Sequence, residues 1–292
     1  MGTRIEVFAP SDALAAAAAR VAEVFGTWEE ALSRFRPGSE LMRLNGAAGA
    51  PFAASDLLYR AAERAIGWAE RTGGAFDPLL GGQLAELGYD RTFAEIGTGG
   101  QLPPMTGEVS RGGAWRRVHL EPRLRRIVLP RGAALDLGGI AKGMAVDAAL
   151  EALAAMGVED ALVSAGGDLA VRGAAPGGGP WPVGVAGLGP TALLLHRGAL
   201  ATSGTARRHW LQGAERRHHL LDPAAGQPVR ETLGSASVIA ASCGDADAAA
   251  TAVFVRGAAG GAALLESLGL AGILVRTDGG VVRVGAWPEG AG

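Results

Sequence analysis

Cysteine is nearly absent from this chain, since Cys243 is the only one among 292 residues. A single cysteine excludes an internal disulfide and any cage of cysteine ligands around a metal ion. We therefore expect a protein of a reducing compartment, the cytoplasm. The net charge is also small, at −2, and a nearly neutral chain argues against a nucleic-acid surface, which needs clustered positive charge.

Long apolar runs are missing as well. No uncharged apolar window reaches the roughly 20 residues that a membrane-spanning helix needs, so no membrane span is expected. The opening residues MGTRIEVFAP do not join a basic stretch to an apolar one, so no secretory leader is expected. Because 48% of the residues are hydrophobic and no long linker or internal repeat interrupts them, residues 1–292 are predicted to form a single domain.

Helical and strand-like patterns alternate along the chain, which predicts an α/β or mixed α+β fold. Helices are predicted at 13–35, 56–72 and 140–156, and a further helix begins with DADAAATAVFV. Strands are predicted at 181–186, 191–196, 199–202 and 235–242, in DALVSAGG, as two strands in VHLEPRLRRIVLP, and as a hairpin of GILVRT and GVVRVGAW. The turn-rich stretch 96–114 is predicted to be a surface loop.

Lysine is the scarcest charged residue, because 26 of the 27 basic residues are arginine and Lys142 is the exception. It stands in DLGGIAKG, where Gly138 and Gly139 precede a predicted helix. Backbone N–H groups at such a start attract anions. A lysine in the first turn opposes the helix dipole, so an anion is expected beside it, as a ligand or a neighbouring carboxylate. The spacing fits neither a P-loop nor a dinucleotide-binding GxGxxG motif, and a purely structural helix start is the alternative.

An Asp/Thr pair marks the start of the late helix. Asp247 and Thr251 in DADAAAT are four residues apart and share one helix face. A carboxylate and a hydroxyl so placed suit Mg²⁺, which takes few protein ligands and retains phosphate oxygens. Asp245 is predicted to be the N-cap of this helix. The alternative is that the whole pattern only serves helix capping.

Three turn-like motifs complete the candidates. In HHLLDPAAGQP, His218 and His219 are adjacent on a predicted strand, so only one of them can face a site. Zinc is not expected there, since no third ligand stands at a typical spacing. In AFDP, Phe76 is expected in the core and Asp77 fits a cap, while Asp168 in SAGGDL follows a glycine pair that is common in turns.

These stretches, taken in order, resemble the ApbE family, the FAD:protein FMN transferases. The resemblance covers nearly the whole chain through MGT, SRFRPGSELMRLN, GAFDPL, LDLGGIAKGMAVD, SAGGDL, ATSG, HHLLDPAAG and DADAAATA. It implies an α/β fold of two intimately packed halves with FAD in the cleft between them. It also implies Mg²⁺-dependent transfer of FMN from FAD to a threonine or serine hydroxyl of a partner flavoprotein, with release of AMP.

The resemblance assigns roles to individual residues. The positions that it implies for contact with FAD are Met1, Phe35, Ala75, Phe76, Asp77, Asp136 and Lys142. The metal would be held by the backbone carbonyl of Gly139 and the side chains of Asp247 and Thr251. His219 matches the histidine of the H-x-x-D-P signature and is the expected general base, with Asp77 or another cleft carboxylate as the alternative.

The chain departs from the usual family pattern at several positions. Met144 replaces an aromatic, Ser164 replaces an asparagine, PAAG replaces PRTG, and Thr205-Ala206 replaces Asp-Tyr. The departures bear on the polarity of the cleft and on the fit of the acceptor, which is expected to carry an Asp-x-x-Thr/Ser-Gly-Ala-Thr/Ser-like segment. Two other functions fit the same motifs: a pyrophosphatase that yields FMN and AMP, and a protein that binds FAD without turnover.

Overall fold

The structure is a computed structural model that describes residues 3–96, 101–102, 112–188, 192–206, 209–212, 215–230 and 232–288. Within these residues there are seven α-helices. They are Leu14–Leu32 (α1), Glu40–Gly46 (α2), Asp56–Arg71 (α3), Gly81–Glu86 (α4), Phe93–Ile96 (α5), Ala141–Ala155 (α6) and Cys243–Leu268 (α7). Two 3₁₀ turns, Ala114–Arg117 and Pro122–Leu124, flank one short strand.

Seventeen strands lie in the same described ranges. They are Ile5–Phe8 (β1), Pro51–Ala53 (β2), Gln101–Leu102 (β3), His119–Glu121 (β4), Arg126–Val128 (β5), Ala161–Ala165 (β6), Asp168–Arg172 (β7), Trp181–Gly184 (β8), Ala192–Leu195 (β9), Gly198–Gly204 (β10), His209–Gln212 (β11), Glu215–His218 (β12), Leu221–Asp222 (β13), Gln227–Pro228 (β14), Leu233–Ala240 (β15), Ala271–Arg276 (β16) and Val281–Val284 (β17).

A seven-stranded sheet organises the fold, in the order β1-β6-β7-β10-β15-β16-β17. Each neighbouring pair in it is antiparallel. The other strands form small sheets of two or three strands around it. The predicted mixture of helix and sheet is confirmed, and the antiparallel pairing makes it a mixed α+β fold.

Helices α6 and α7 cover the central sheet. Helix α7 packs on β10 and β15, helix α6 packs on β6 and β7, and α1 packs against α6. The alanines and glycines of α6 and α7 allow this close packing because they add little bulk between helix and strand. One buried apolar cluster includes residues from Ala17 in α1 to Val284 in β17. That residues 1–292 form one domain stays a prediction.

The starts of α6 and α7 lie in direct backbone contact. A Cβ atom on Gly143 would fall 2.3 Å from the carbonyl oxygen of Cys243, so only glycine allows this approach. The carboxylate of Asp147 crosses between the helices and accepts the N–H groups of Cys243 at 2.7 Å and Gly244 at 2.9 Å. Two of the N–H groups that α7 leaves unpaired at its start are thereby satisfied from α6.

The strongly periodic helices are found close to their predicted bounds, and the predicted hairpins form as β4–β5 and β16–β17. Helix α2 was missed, because Pro37 and Gly38 indicate a break and the helix starts directly after them with Ser39 capping the N–H of Met42. The predicted N-cap at Asp245 is wrong. Ser242 is the N-cap, and its hydroxyl accepts the N–H of Asp245. The predicted loop at 96–114 lies largely outside the described residues.

Helix α7 is long and apolar enough, by length and composition, to cross a membrane. Among the described residues it is the one helix that meets this criterion, and 44% of its most apolar window is buried within the fold. It bends at Gly257, whose φ of 69° interrupts the helical backbone. Its packing on β10 and β15 is that of a core helix.

The contact between α6 and α7 gives a testable prediction. Gly143→Ala is expected to lower the free energy of unfolding by about 1 to 3 kcal/mol, because the added methyl group overlaps backbone that cannot move alone. Gly67→Ala in α3 is the matched control, since a Cβ there meets nothing within 4 Å. It should raise stability by up to about 1 kcal/mol, the ordinary helix preference for alanine. Guanidinium unfolding measures both, and a Gly143→Ala midpoint equal to that of the wild type would contradict the prediction.

Candidate functional site

The predicted metal residues meet where α6 and α7 begin. Thr251 lies one turn after Asp247 on α7, and its Oγ1 is 3.2 Å from the position that a Cβ on Gly139 would take. The ring of Phe76 lies 3.1 Å from the same position. Asp247 Oδ2 is 3.4 Å from the backbone N–H of Gly143. The structure therefore brings the carboxylate, the hydroxyl and the glycine segment to one place.

Lys142 lies between two carboxylates. Its Nζ is 3.0 Å from Asp247 Oδ2 and 2.9 Å from Asp168 Oδ2, and it donates to the carbonyl of Gly138 at 3.3 Å. The anion that the sequence predicts beside Lys142 is thus found in the protein itself. A compact ammonium donates in three directions, which suits this cluster better than the planar fork of an arginine.

Burial dominates the electrostatics of Asp247. Burial raises its pKa to about 6, the ammonium of Lys142 opposes the rise, and the carboxylate of Asp168 adds to it. With both carboxylates ionised, the three side chains carry one net negative charge in a largely buried place. Such a charge favours binding of a cation.

Asp168 and Ser203 are parts of this cluster that the sequence reasoning did not assign to the site. Asp168 is the first residue of β7, and its Oδ1 accepts the N–H of Thr202 at 3.2 Å. Ser203 Oγ lies 3.2 Å from Thr251 Oγ1. Neighbouring positions of β10 therefore hold Asp168 and Thr251. The sequence signals were the SAGGDL motif, which by itself is typical of a simple turn, and the ATSG motif, which contains Ser203.

Asp136 fixes the glycine-rich turn. Its Oδ1 accepts the N–H of Gly138 at 2.6 Å, and its Oδ2 is 3.0 Å from Nε of Arg34. The Arg34 guanidinium lies 4.1 Å from the ring centroid of Phe35 and 4.3 Å from that of Tyr89. Nη2 of Arg34 is buried and has no hydrogen-bond partner within the part of the chain that the structure describes. That donor is available to a ligand oxygen.

Asp77 joins two loops. Its Oδ1 accepts the N–H of Leu79 at 2.8 Å, and its Oδ2 accepts the N–H of Gly113 at 2.5 Å. Burial raises the pKa of Asp77 above its usual range, although these two N–H groups oppose the rise. The N–H of Gly112 binds the carbonyl of Pro223 at 2.8 Å. Asp77 therefore holds a loop that contacts Pro223, the last residue of the H-x-x-D-P signature.

The two neighbouring histidines have different surroundings. His218 is buried, with Nδ1 accepting the N–H of Leu220 at 3.3 Å and Nε2 3.1 Å from the carbonyl of Val229. His219 is half-buried, and its ring lies edge-on to Tyr89 with centroids 6.5 Å apart. Phe35 lies 5.5 Å from the same Tyr89 ring. Of the pair, His219 is the more exposed.

Apart from Asp77, the described site residues predicted from the sequence fall into two groups that one turn connects, and Arg34, which was not predicted, belongs to the second group. The metal candidates and Lys142 surround the starts of α6 and α7, with the buried Ala75–Phe76 pair beside them. Phe35, Arg34 and His219 surround Tyr89. Asp136 links the groups because it binds both Arg34 and Gly138. Met1 lies outside the described residues.

The donor set fits a hard cation. A zinc site needs three or four protein ligands, mostly His, Cys, Asp or Glu. Within the described ranges, no three such side chains form a cluster able to hold a metal ion. A carboxylate, a hydroxyl and a closely approached glycine backbone are the sparse oxygen set that Mg²⁺ uses when phosphate oxygens complete its shell.

Two curated relatives with the name FAD:protein FMN transferase are similar to this chain. The chain is 34% identical to the Treponema pallidum protein over 288 residues, which cover 90% of this chain and 78% of the relative. It is 32% identical to the Rhodobacter capsulatus protein over 293 residues, which cover 93% of this chain and 51% of the relative. This chain therefore spans about half the length of the second relative.

Solved structures show the same architecture. The ApbE protein of Thermotoga maritima superposes with a TM-score of 0.82 at 28% identity, over 97% of this chain and 93% of that one. The apo flavinyl transferase ApbE of Pseudomonas stutzeri gives a TM-score of 0.81 at 26% identity, over 99% and 98% of the two chains. The sequence model of the ApbE family matches residues 1–274 of this chain. This confirms what the eight ordered motifs predicted: the chain belongs to the ApbE family.

Proposed function

We propose that this chain transfers FMN from FAD to a threonine or serine hydroxyl of an acceptor flavoprotein, with Mg²⁺ bound and AMP released. As a member of the ApbE family with relatives that are named for this reaction, the chain is a transferase. The observation that carries the finer proposal is the Asp247–Thr251 pair. It faces the Gly138–Gly139 turn inside a cluster of net negative charge.

The proposed metal ligands are the Asp247 carboxylate, the Thr251 hydroxyl and the carbonyl of Gly139. Bound there, Mg²⁺ would neutralise charge on the pyrophosphate of FAD and stabilise the departing AMP. Ser203 supports this set by fixing the Thr251 hydroxyl, and Asp147 supports it by fixing the start of α7.

Phe35 and Arg34, which lie beside Tyr89, are proposed to bind FAD. Phe35 offers an aromatic face, and the unpaired Nη2 of Arg34 offers a donor to a ligand oxygen. Asp136 binds both Arg34 and the N–H of Gly138, so it fixes the position of Arg34 relative to the metal candidates. Arg34, Phe35 and the metal candidates are therefore proposed to bind the same ligand. The ring of Phe76 lies so close to Gly139 that it leaves little room for a side chain at that position.

His219 is the proposed general base. The acceptor oxygen forms a bond to the phosphorus of the FMN half, and its proton passes to His219. The bond from that phosphorus to the bridging oxygen breaks, and the bridging oxygen leaves with AMP. Histidine is suited to this transfer because the side chain exchanges protons near neutral pH. Half-burial against Tyr89 leaves the ring of His219 reachable.

Product analysis tests the function. The protein is incubated with FAD and Mg²⁺, with and without an acceptor that carries an Asp-x-x-Thr/Ser-Gly-Ala-Thr/Ser segment. Transfer predicts AMP together with an acceptor that gains the mass of FMN, and excess EDTA should stop both. Free FMN and AMP at the same rate with and without acceptor would show a pyrophosphatase, and FAD binding without AMP would show a binding protein.

The metal assignment predicts the effect of one carboxylate. Asp247→Asn should lower Mg²⁺-dependent transfer by at least about 100-fold, since residues that merely support a metal ligand already contribute about 10- to 100-fold. Asp245→Asn is the matched control on the same helical turn, because Asp245 binds Arg64 and Trp68 instead. It should retain transfer within a few-fold. Normal transfer by Asp247→Asn would remove Asp247 from the metal site.

The base assignment predicts a loss of rate without a loss of binding. His219→Gln should lower the transfer rate by about 10²- to 10⁴-fold, the usual contribution of a positioned base. The FAD dissociation constant, measured by quenching of flavin fluorescence, should stay unchanged. His196→Gln is the control because His196 is exposed. A His219→Gln enzyme with the wild-type rate would assign the proton transfer to another group, such as Asp77.

A further inference from the structure

We propose that Asp168 is a positioning residue that acts through Lys142: it shares the ammonium with Asp247, so that the cluster of three side chains keeps a net negative charge for the metal. This inference rests on the proposed metal site at Asp247. Asp168 is not itself assigned to FAD or to the metal.

The three side chains are close and poorly hydrated. Nζ of Lys142 is 2.9 Å from Asp168 Oδ2 and 3.0 Å from Asp247 Oδ2, while the side chains are 15%, 7% and 6% exposed for Lys142, Asp168 and Asp247. Water screens charges weakly at such exposure. The charge that a bound cation meets at Asp247 therefore depends on what else neutralises Lys142.

Charge counting separates two cases. An ammonium paired with Asp247 alone would form a neutral buried pair, and a divalent cation would have to compete with the ammonium for that carboxylate. With Asp168 present, the charges +1, −1 and −1 sum to −1. The ammonium is then shared, and the cluster retains a negative charge that attracts a cation.

The fold holds Asp168 in the orientation that this role needs. It is the first residue of β7 and pairs with Ala165 across the β6–β7 turn. Its Oδ1 accepts the N–H of Thr202 on β10, which leaves Oδ2 for Lys142. Asp168 is therefore anchored on the central sheet, whereas Lys142 and Asp247 come from the two helices above it.

Mg²⁺ binding to the intact chain tests this inference, measured by calorimetry and by the Mg²⁺-dependent rise of the melting temperature. Asp168→Asn preserves the shape of the side chain and an oxygen for the N–H of Thr202. It should weaken Mg²⁺ binding by about 10- to 100-fold, the range that supporting groups contribute to metal affinity. Lys142→Met should bind Mg²⁺ at least as tightly as the wild type, because the competing ammonium is gone. Asp278→Asn, at an exposed turn, should leave binding unchanged.

The double variant decides whether Asp168 acts through Lys142. In the Lys142→Met background, adding Asp168→Asn should weaken Mg²⁺ binding by only about a few-fold, against about 10- to 100-fold with Lys142 present, because only the direct attraction of Asp168 for the cation is then lost. An equal loss in both backgrounds would overturn the inference, because it would indicate a merely structural role. Unchanged affinity in Asp168→Asn, with binding abolished in Asp247→Asn, would overturn the inference and leave the metal site in place. A wild type that binds no Mg²⁺ would overturn both.

Discussion

The backbone contact between the starts of α6 and α7 is the constraint on which the site depends. Gly143 lies against the Cys243 carbonyl with no room for a side chain, and Asp147 binds two N–H groups of the other helix. Because the helices meet at Gly143 and Cys243, the side chain one turn after Cys243 lies beside the first turn of α6. That is why Asp247 on α7 reaches Lys142 on α6. A larger residue at position 143 would push the two helices apart and increase the distance between Lys142 and Asp247.

The charges at this junction are arranged for a ligand, at some cost to the folded chain. A buried carboxylate with a pKa raised to about 6 is less stable ionised than it would be in water, and only part of that cost is offset by Lys142. Functional sites commonly retain buried groups of this kind, although they lower the stability of the folded state. Two residues of β10 hold the neighbouring polar groups in place. The N–H of Thr202 binds Asp168, and the hydroxyl of Ser203 lies within hydrogen-bond distance of the Thr251 hydroxyl.

Much of the fold and part of the site could be predicted from the sequence, and the reasons differ by residue. Periodic helices were predictable because their pattern is local, and the Asp247–Thr251 pair because four residues make one helical turn. The contact of Asp168 with Lys142 was not predictable, since the pairing of β6 with β7 and the packing of α6 bring them together. The N-cap at Ser242 was missed for a related reason: Asp245 has a tertiary role with Arg64 and Trp68.

Asp77 and Asp136 show what motif resemblance adds and what it leaves out. Resemblance implied that both contact FAD, and this stays a prediction. In the structure, each carboxylate binds the backbone N–H of a loop residue, which is Gly113 for Asp77 and Gly138 for Asp136. Their side chains therefore hold the loops at Gly113 and Gly138 in place, whichever molecule binds there.

The presence of a single lysine among 27 basic residues has a practical consequence. Lys142 is the single primary amine among the side chains of this sequence, and it lies at the junction of the two helices. Amine-selective acylating or aldehyde reagents, which ignore guanidinium groups, therefore have one side-chain amine to modify in this sequence. The rate of that reaction reports how tightly Asp168 and Asp247 hold the amine. Lys142 therefore serves as a chemical probe of the proposed metal site.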